Sequence, residues 1–392
     1  MHDNLSPKIS VPILIIYFIV FCSFFDTHAQ MPILAPFAIS LGATPFTLGL
    51  VVGFYSLLNI FGNFSSGVLI DNTNWQKPLL IGLIGVSIVL ILYTAVGTTL
   101  QLILIRSAHG FMGGILVPAA LASLTTGDRE VKTRNSRLAL FGALIGMAAI
   151  AGPIFSGIIA GVFSYSAVYL SLAILMATAA ILSLITIKLK TGIGGTSRAS
   201  FFFREIYKIP QLKSSFLFAL GTMGSTGTLA AFLPVRAETL GFNHIKTGIL
   251  FATFAFSAII VQILWPKKLK LRLGSDFKGC RMGLLLLAAA LLIAAMASSP
   301  LILFSSLVIF GVGFGLAFQG MLGLVINSSL PEWRGRAIGI FFATYSLGVA
   351  IIPPLSGLIW QQYPLIFPFY TAATAALISM SAGCRTCNKK PA

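Results

Sequence analysis

Few groups in this chain could exchange a proton in apolar surroundings, and one of them sits where charge is costly. In the stretch FCSFFDTHAQMPILAPF, Asp26 interrupts an apolar run near the start of the chain. An unpaired buried carboxylate is expensive, so Asp26 needs a partner or a task. A second charge, Arg106, lies inside the apolar run RSAHGFMGGILVPA, with His109 three residues on and therefore on nearly the same helix face. The guanidinium keeps its charge, whereas a carboxylate and an imidazole can take up and release protons. His28 flanks the same pair. The other eight acidic residues fall in loops, at termini or at the edges of apolar runs.

The elements that must hold these groups follow from composition. Of 392 residues, 57% are hydrophobic and only 9% charged, and the mean hydropathy is +0.96. One water-soluble core could not hide so much apolar surface, so a bilayer is the solvent for most of it. The net charge of +17 does not imply nucleic acid, because the bases form short clusters between apolar runs. Four cysteines are too few and too scattered for a disulfide framework. Cys384 and Cys387 have a metal or redox spacing, but they are a single pair near the chain's end. The first run reads as a retained span, not a cleaved leader, because Thr27-His28-Ala29 is a poor cleavage site.

A spanning helix needs roughly 20 apolar residues. Twelve runs qualify: 11–36, 46–70, 78–97, 100–124, 138–161, 166–187, 214–235, 246–265, 282–298, 301–326, 337–360 and 365–383. With the N-terminus in the cytoplasm, 23 of the 26 basic residues fall in inside segments, while Arg236 and Lys246 lie outside and Arg106 lies within a span. That asymmetry predicts twelve spans with both termini inside. The polar segment 188–213 divides the spans six and six. Its Gly/Ser-rich beginning reads as a linker, and Phe201–Lys213 reads as an amphipathic helix on the inner surface. A shift of 200 residues superposes Arg134, Phe141, Ala143, Pro153, Ser156 and Gly157 on Arg334, Phe341, Ala343, Pro353, Ser356 and Gly357. A duplicated six-helix half explains that order. The expectation is an all-α membrane protein with halves 1–187 and 214–392 joined by 188–213.

At 1.5 Å per residue, Asp26 lies ~22 Å from the inner end of span 1 and Arg106 ~9 Å below the outer surface of span 4, the same level of a ~30 Å core. They are expected to be partners or near-partners, with His109 either relaying protons or satisfied by hydrogen bonds in the bundle. For a substrate cavity, Tyr55 and Asn59 share a face of span 2, and Gln262, Gln319 and Tyr345 are lone polar residues in apolar surroundings. Phe, Met and a few amides would suit an amphipathic solute. Such residues also bond helix to helix.

Three stretches carry a family pattern. GVLIDNTNWQK, between spans 2 and 3, holds Gly67, Asp71 and Lys77; span 4 holds Arg106 and Gly110. GALIGMAAIAGPIFSGIIAG, in span 5, holds Gly142, Gly146, Gly152, Pro153, Gly157 and Gly161. Together they resemble the major facilitator superfamily, and within it the twelve-span proton-coupled drug and metabolite exporters, over essentially the whole chain. The resemblance implies two six-helix halves related by a pseudo-two-fold axis, a latch at Asp71, and a span 5 pattern that marks antiporters over importers. It also implies a proton-titrating acid in span 1 near the arginine, the place of Asp26. Asn72 and Asn74 depart from the arginine and glycine usual in the first motif. The chain is thus expected to be a proton antiporter exporting small amphipathic molecules, with no cofactor or metal, working as a monomer in a bacterial cell membrane. A static Asp26–Arg106 brace, a uniporter or channel, and a nutrient importer are the competing readings. An intramembrane enzyme would need clustered His, Asp, Glu or Cys, and an ATP-driven pump a glycine-rich phosphate loop with a lysine; neither pattern occurs.

Overall fold

A computed structural model describes residues 11–125, 131–186, 208–330 and 334–387. Those residues are overwhelmingly helical, and no strand occurs among them. The first half holds α1 (Val11–Ala29), α2 (Leu34–Ser40), α3 (Pro45–Thr73), α4 (Gln76–Leu92), α5 (Thr99–Thr125), α6 (Val131–Val162) and α7 (Tyr165–Thr186). The second holds α8 (Pro210–Thr239), α9 (His244–Leu264), α10 (Asp276–Met296), α11 (Pro300–Ser328), α12 (Arg334–Trp360) and α13 (Phe367–Cys387).

Ten of these helices are long and apolar enough to cross a membrane, and α1 with α2 makes an eleventh. The 21-residue α13 is long enough but less apolar. The expected first span, 11–36, is not one helix: α1 and α2 are inclined at 50°. Several helices begin earlier than their apolar runs because polar caps start them. Thr44 accepts a hydrogen bond from Thr47 N at 3.3 Å, Asn243 from Lys246 N at 2.9 Å, and Ser275 from Lys278 N at 3.2 Å. Pro45, Pro210 and Pro300 stand just inside helix starts, where a missing N–H costs nothing. Most of the surface helix expected at Phe201–Lys213 lies outside the described residues; Pro210–Lys213 form the first turn of α8.

Within the first half, α3 packs on α5, α1 on α6, and α4 on α5 and α7. Within the second, α10 packs on α11, α8 on α12 and α13, and α9 on α11. Among the described residues α2 and α3 touch α8, and the two most extensive crossings between the halves are α3 with α12 and α6 with α9. Both are glycine seams. A Cβ on Gly49 would stand 2.5 Å from the Pro353 carbonyl oxygen, and one on Gly157 2.6 Å from that of His244. In the mirrored contacts, Gly248 meets the Pro153 carbonyl and Gly357 that of Pro45. The pairing thus repeats with the 200-residue shift, displaced by one residue in α9. Without Cβ atoms the backbones can touch, and this end of the bundle is closed. Toward the other end, a Cβ on Gly67, Gly142, Gly335 or Gly339 would meet nothing within 4 Å among the described residues.

Candidate functional site

Four helices and the turn after α4 assemble one buried polar cluster in the first half. Asp26 is on α1, Arg106 and His109 lie one helical turn apart on α5, Tyr55 is on α3, Tyr93 follows α4, and Tyr169 is on α7. Asp26 is 2% exposed and His109 1%. Close approach of α5 to α3 makes the arrangement possible: Gly110 lies against the Tyr55 carbonyl, and a Cβ on Gly114 would stand 2.5 Å from that of Asn59. Gly152 of α6 does the same for α1, its missing Cβ falling 2.9 Å from Ala29 N and Phe25 O.

Asp26 and Arg106 are not joined directly. The direct partner of Asp26 is His109, with Nε2 2.8 Å from Oδ2. Gln30 stands between the charges: its Nε2 donates to Asp26 Oδ1 at 2.8 Å, and its Oε1 accepts from Arg106 Nη1 at 2.8 Å. Arg106 also donates from Nε to the Val51 carbonyl at 3.3 Å, and its guanidinium carbon lies 4.2 Å from the Tyr55 ring centre. The arginine therefore satisfies its fork by amide, carbonyl and ring contacts. Tyr93 Oη lies 3.2 Å from His109 Nδ1, and the Tyr93 ring stacks on Tyr169 at 4.2 Å.

These distances are compatible with one arrangement of hydrogens. With Asp26 ionised, His109 donates Nε2–H to the carboxylate and accepts the Tyr93 hydroxyl at Nδ1. The single negative and single positive charges then cancel inside the bundle. The Gln30 amide nitrogen also lies 3.5 Å from His109 Nδ1. Sequence reasoning missed Gln30, Tyr93 and Tyr169. Gln30 had a signal, since it lies four residues from Asp26 on the same face; the tyrosines become neighbours only through the fold.

The other singled-out residues spread more widely. Asn59 Nδ2 donates to the Gly110 carbonyl at 3.2 Å and its Oδ1 accepts from Asn63 at 2.8 Å, so it joins helices. Tyr55 Oη is 3.5 Å from Thr27 Oγ1. Gln262 on α9, Gln319 on α11 and Tyr345 on α12 are half-buried. Tyr345 packs on Phe341 and Phe342, and no described contact joins these three to Tyr55 or Asn59. Gly146 approaches Ile259 across the halves, and Pro153 and Gly157 are part of the closed seam. Asp71 lies in the last turn of α3, not in a loop, and is exposed, as are Gly67 and Lys77. Asn74 ends α3 at φ +72° and ψ 169°, a positive-φ conformation different from the left-handed one of Gly274, at φ +81° and ψ −14°, in the second half. The acid that is tied down near a helix start is Asp276, which receives Lys270 Nζ and Asn327 Nδ2, each at 2.9 Å.

Comparison with known proteins agrees with this architecture. The Major Facilitator Superfamily profile matches residues 16–332 and, again, 215–390. An uncharacterised MFS-type transporter of Methanocaldococcus jannaschii is 22% identical over 351 residues, 88% of this chain and 90% of that one. The quinolone resistance protein NorA of Staphylococcus aureus is 26% identical over 153 residues, 39% of each chain. A crystal structure of a POT peptide transporter in complex with sulfate superposes with a TM-score of 0.81 at 13% identity, over 96% of this chain and 94% of that one. An all-helical bundle crossing a membrane many times and matched along its length by one family's profile leaves a single assignment: this chain belongs to the Major Facilitator Superfamily of transporters.

Proposed function

We propose that the chain is a proton-coupled secondary exporter of small amphipathic molecules, drugs or a cell-made metabolite, working by alternating access between halves 1–187 and 214–392. The observation that carries this reading is the buried Asp26–His109 contact, balanced through Gln30 by Arg106. An importer or channel driven by substrate gradient alone has no use for a titratable carboxylate held dry inside the bundle. The partial likeness to a drug-resistance protein supports export.

In this reading the membrane is that of a bacterial cell and both termini lie in the cytoplasm, which the distribution of basic residues supports. The glycine-sealed end then faces outside, and substrate loads from the cytoplasm at the end that carries Gly67, Gly142, Gly335 and Gly339. Tyr55, Asn59, Gln262, Gln319 and Tyr345 supply the substrate's polar contacts, and Phe314 and Phe318 an aromatic wall with the buried Phe341 behind it. When the outer end opens, Asp26 takes a proton, substrate leaves, and release of the proton inward resets the cycle. Asp71, exposed in this state, latches the cytoplasmic end when the halves close there. Substrate, protons and lipid are the partners of a monomer that needs no cofactor.

The test is flux in proteoliposomes with an imposed pH gradient, wild type against Asp26→Asn, with substrate loaded on either side. Gradient-driven export that survives the substitution, or net movement inward, rejects the reading.

A further inference from the structure

The first span breaks where the buried cluster is anchored. α1 ends at Ala29, α2 begins at Leu34, and their axes differ by 50°. Pro32 and Pro36 account for the break, since neither can donate to the residue four before it and each ring crowds the preceding turn. Gln30 opens the break. Its carbonyl accepts from Leu34 N at 2.9 Å and Ile33 N at 3.3 Å, so its backbone starts the turn into α2. Its side chain meanwhile holds Asp26 and Arg106. One residue grips both the carboxylate and the hinge.

A second path runs from the same carboxylate to α2. Asp26 contacts His109, His109 contacts the Tyr93 hydroxyl, and Tyr93 stacks on Tyr169. Phe37 of α2 lies 5.5 Å from the rings of both Tyr169 and Tyr165. Hinge and aromatic stack therefore converge on the same seven-residue helix. α2 packs against α8, an element of the other half. The Leu41 carbonyl just beyond α2 accepts from Thr99 Oγ1 at 3.0 Å, which ties that end to α5.

We infer that Gln30 is a positioning residue that converts proton occupancy of the Asp26 cluster into the bend of the first span, with α2 as the moving piece at the sealed end. This rests on the proton-coupled reading above. With Asp26 ionised, both ends of the Gln30 amide are satisfied and the turn is fixed. A proton on the carboxyl group gives Asp26 an O–H to donate and removes the charge that Arg106 balances through the amide. With that proton on Oδ1 it meets the Gln30 N–H, donor against donor, so Gln30 rotates its amide or lets go, and the turn it starts is freed. The titratable or charged groups facing Asp26 are Arg106 and His109 from α5, Tyr55 from α3, Tyr93 after α4, Tyr169 from α7 and, on α1 itself, Cys22. α6 brings the apolar Phe141, Gly152 and Phe155 to α1.

The experiment uses the full chain in lipid, with spin labels at Ser40 at the end of α2 and at Glu238 on α8, both exposed. The label separation is read in acidic and in alkaline buffer, beside gradient-driven flux. The wild-type separation is expected to change with pH. Gln30→Met, equal in length but without hydrogen bonds, should give one pH-independent separation and a loss of coupled flux of roughly tenfold or more, the scale of a buried hydrogen bond to a charge. Gln30→Glu, which still accepts from Arg106 but repels an ionised Asp26, should move the pH midpoint of the change. A wild-type response in Gln30→Met, or an unmoved midpoint in Gln30→Glu, overturns the role of Gln30. If those responses stay wild-type while Asp26→Asn abolishes the change, the proton-coupled reading stands alone; if Asp26→Asn still responds to pH, both fall.

Discussion

The two halves of the chain share a backbone plan and differ in what they bury at its centre. Move 200 residues along from the polar cluster and Asp26 becomes Thr226, Gln30 becomes Ala230 and Tyr55 becomes Ala255. Tyr93, Arg106, His109 and Tyr169 become Ile293, Ser306, Ile309 and Phe369. In the second half the polar survivors look after themselves: Thr226 donates to the Thr222 carbonyl at 2.9 Å and Ser306 to that of Leu303 at 2.7 Å. Its interior is instead aromatic, with Phe254, Phe314, Phe318 and Phe341 in sequential contact. Both halves keep the glycine seams that let them meet. The same scaffold thus occurs twice, and the mid-bundle cluster of buried charge stands in the first copy, while the buried acid of the second, Asp276, sits at a helix start against Lys270.

Substitutions at matched positions test that division, and the largest effect belongs to the acid itself. Asp26→Asn should bring flux under a pH gradient down to the uncoupled level, whereas Thr226→Asn should leave coupling intact; equal losses would erase the contrast. Next comes Arg106→Leu, which strands Asp26 as an uncompensated buried charge and should cost about 3–5 kcal/mol in unfolding measurements. Ser306→Ala should cost only about 1 kcal/mol. Adding Asp26→Asn to Arg106→Leu should recover part of the larger loss, because the stranded charge is gone. Gly157→Val and Gly357→Val should act alike, each weakening the closed state by about 1–3 kcal/mol through overpacking. Thiol labelling of Thr44→Cys, beside the seam, reads that shift, and unequal responses would show that the repeat is not energetically symmetric. The smallest change is Asn74→Gly, which copies Gly274 and should alter stability by less than about 1 kcal/mol.

What could be read from the sequence follows the range of the forces involved. Apolar runs and clustered bases report burial in lipid residue by residue, so the helical bundle was legible and helix ends were missed by only a few residues. Those misses occur where caps such as Ser275 start a helix in polar sequence, ahead of the hydropathy signal. The break after Ala29 was announced by Pro32 and Pro36 but masked by the apolar residues around them. Depth along two helices brought Asp26 and Arg106 to one level. Rotation about each helix decides which side chain touches which, and no run of composition encodes it. Hence His109 stands in direct contact with the carboxylate and Gln30 fills the gap to the arginine. Tyr93 and Tyr169, 76 positions apart, stack only because α4 packs on α7.

The closed end is made of main chain resting on main chain, at Gly49 against Pro353 and at Gly157 against His244. A barrier of that kind has no rotamer to flip, so picosecond side-chain flicker cannot open a thread of water through it. Passage waits for whole helices to swing, on the microsecond-to-millisecond scale, and between swings the membrane stays tight to ions.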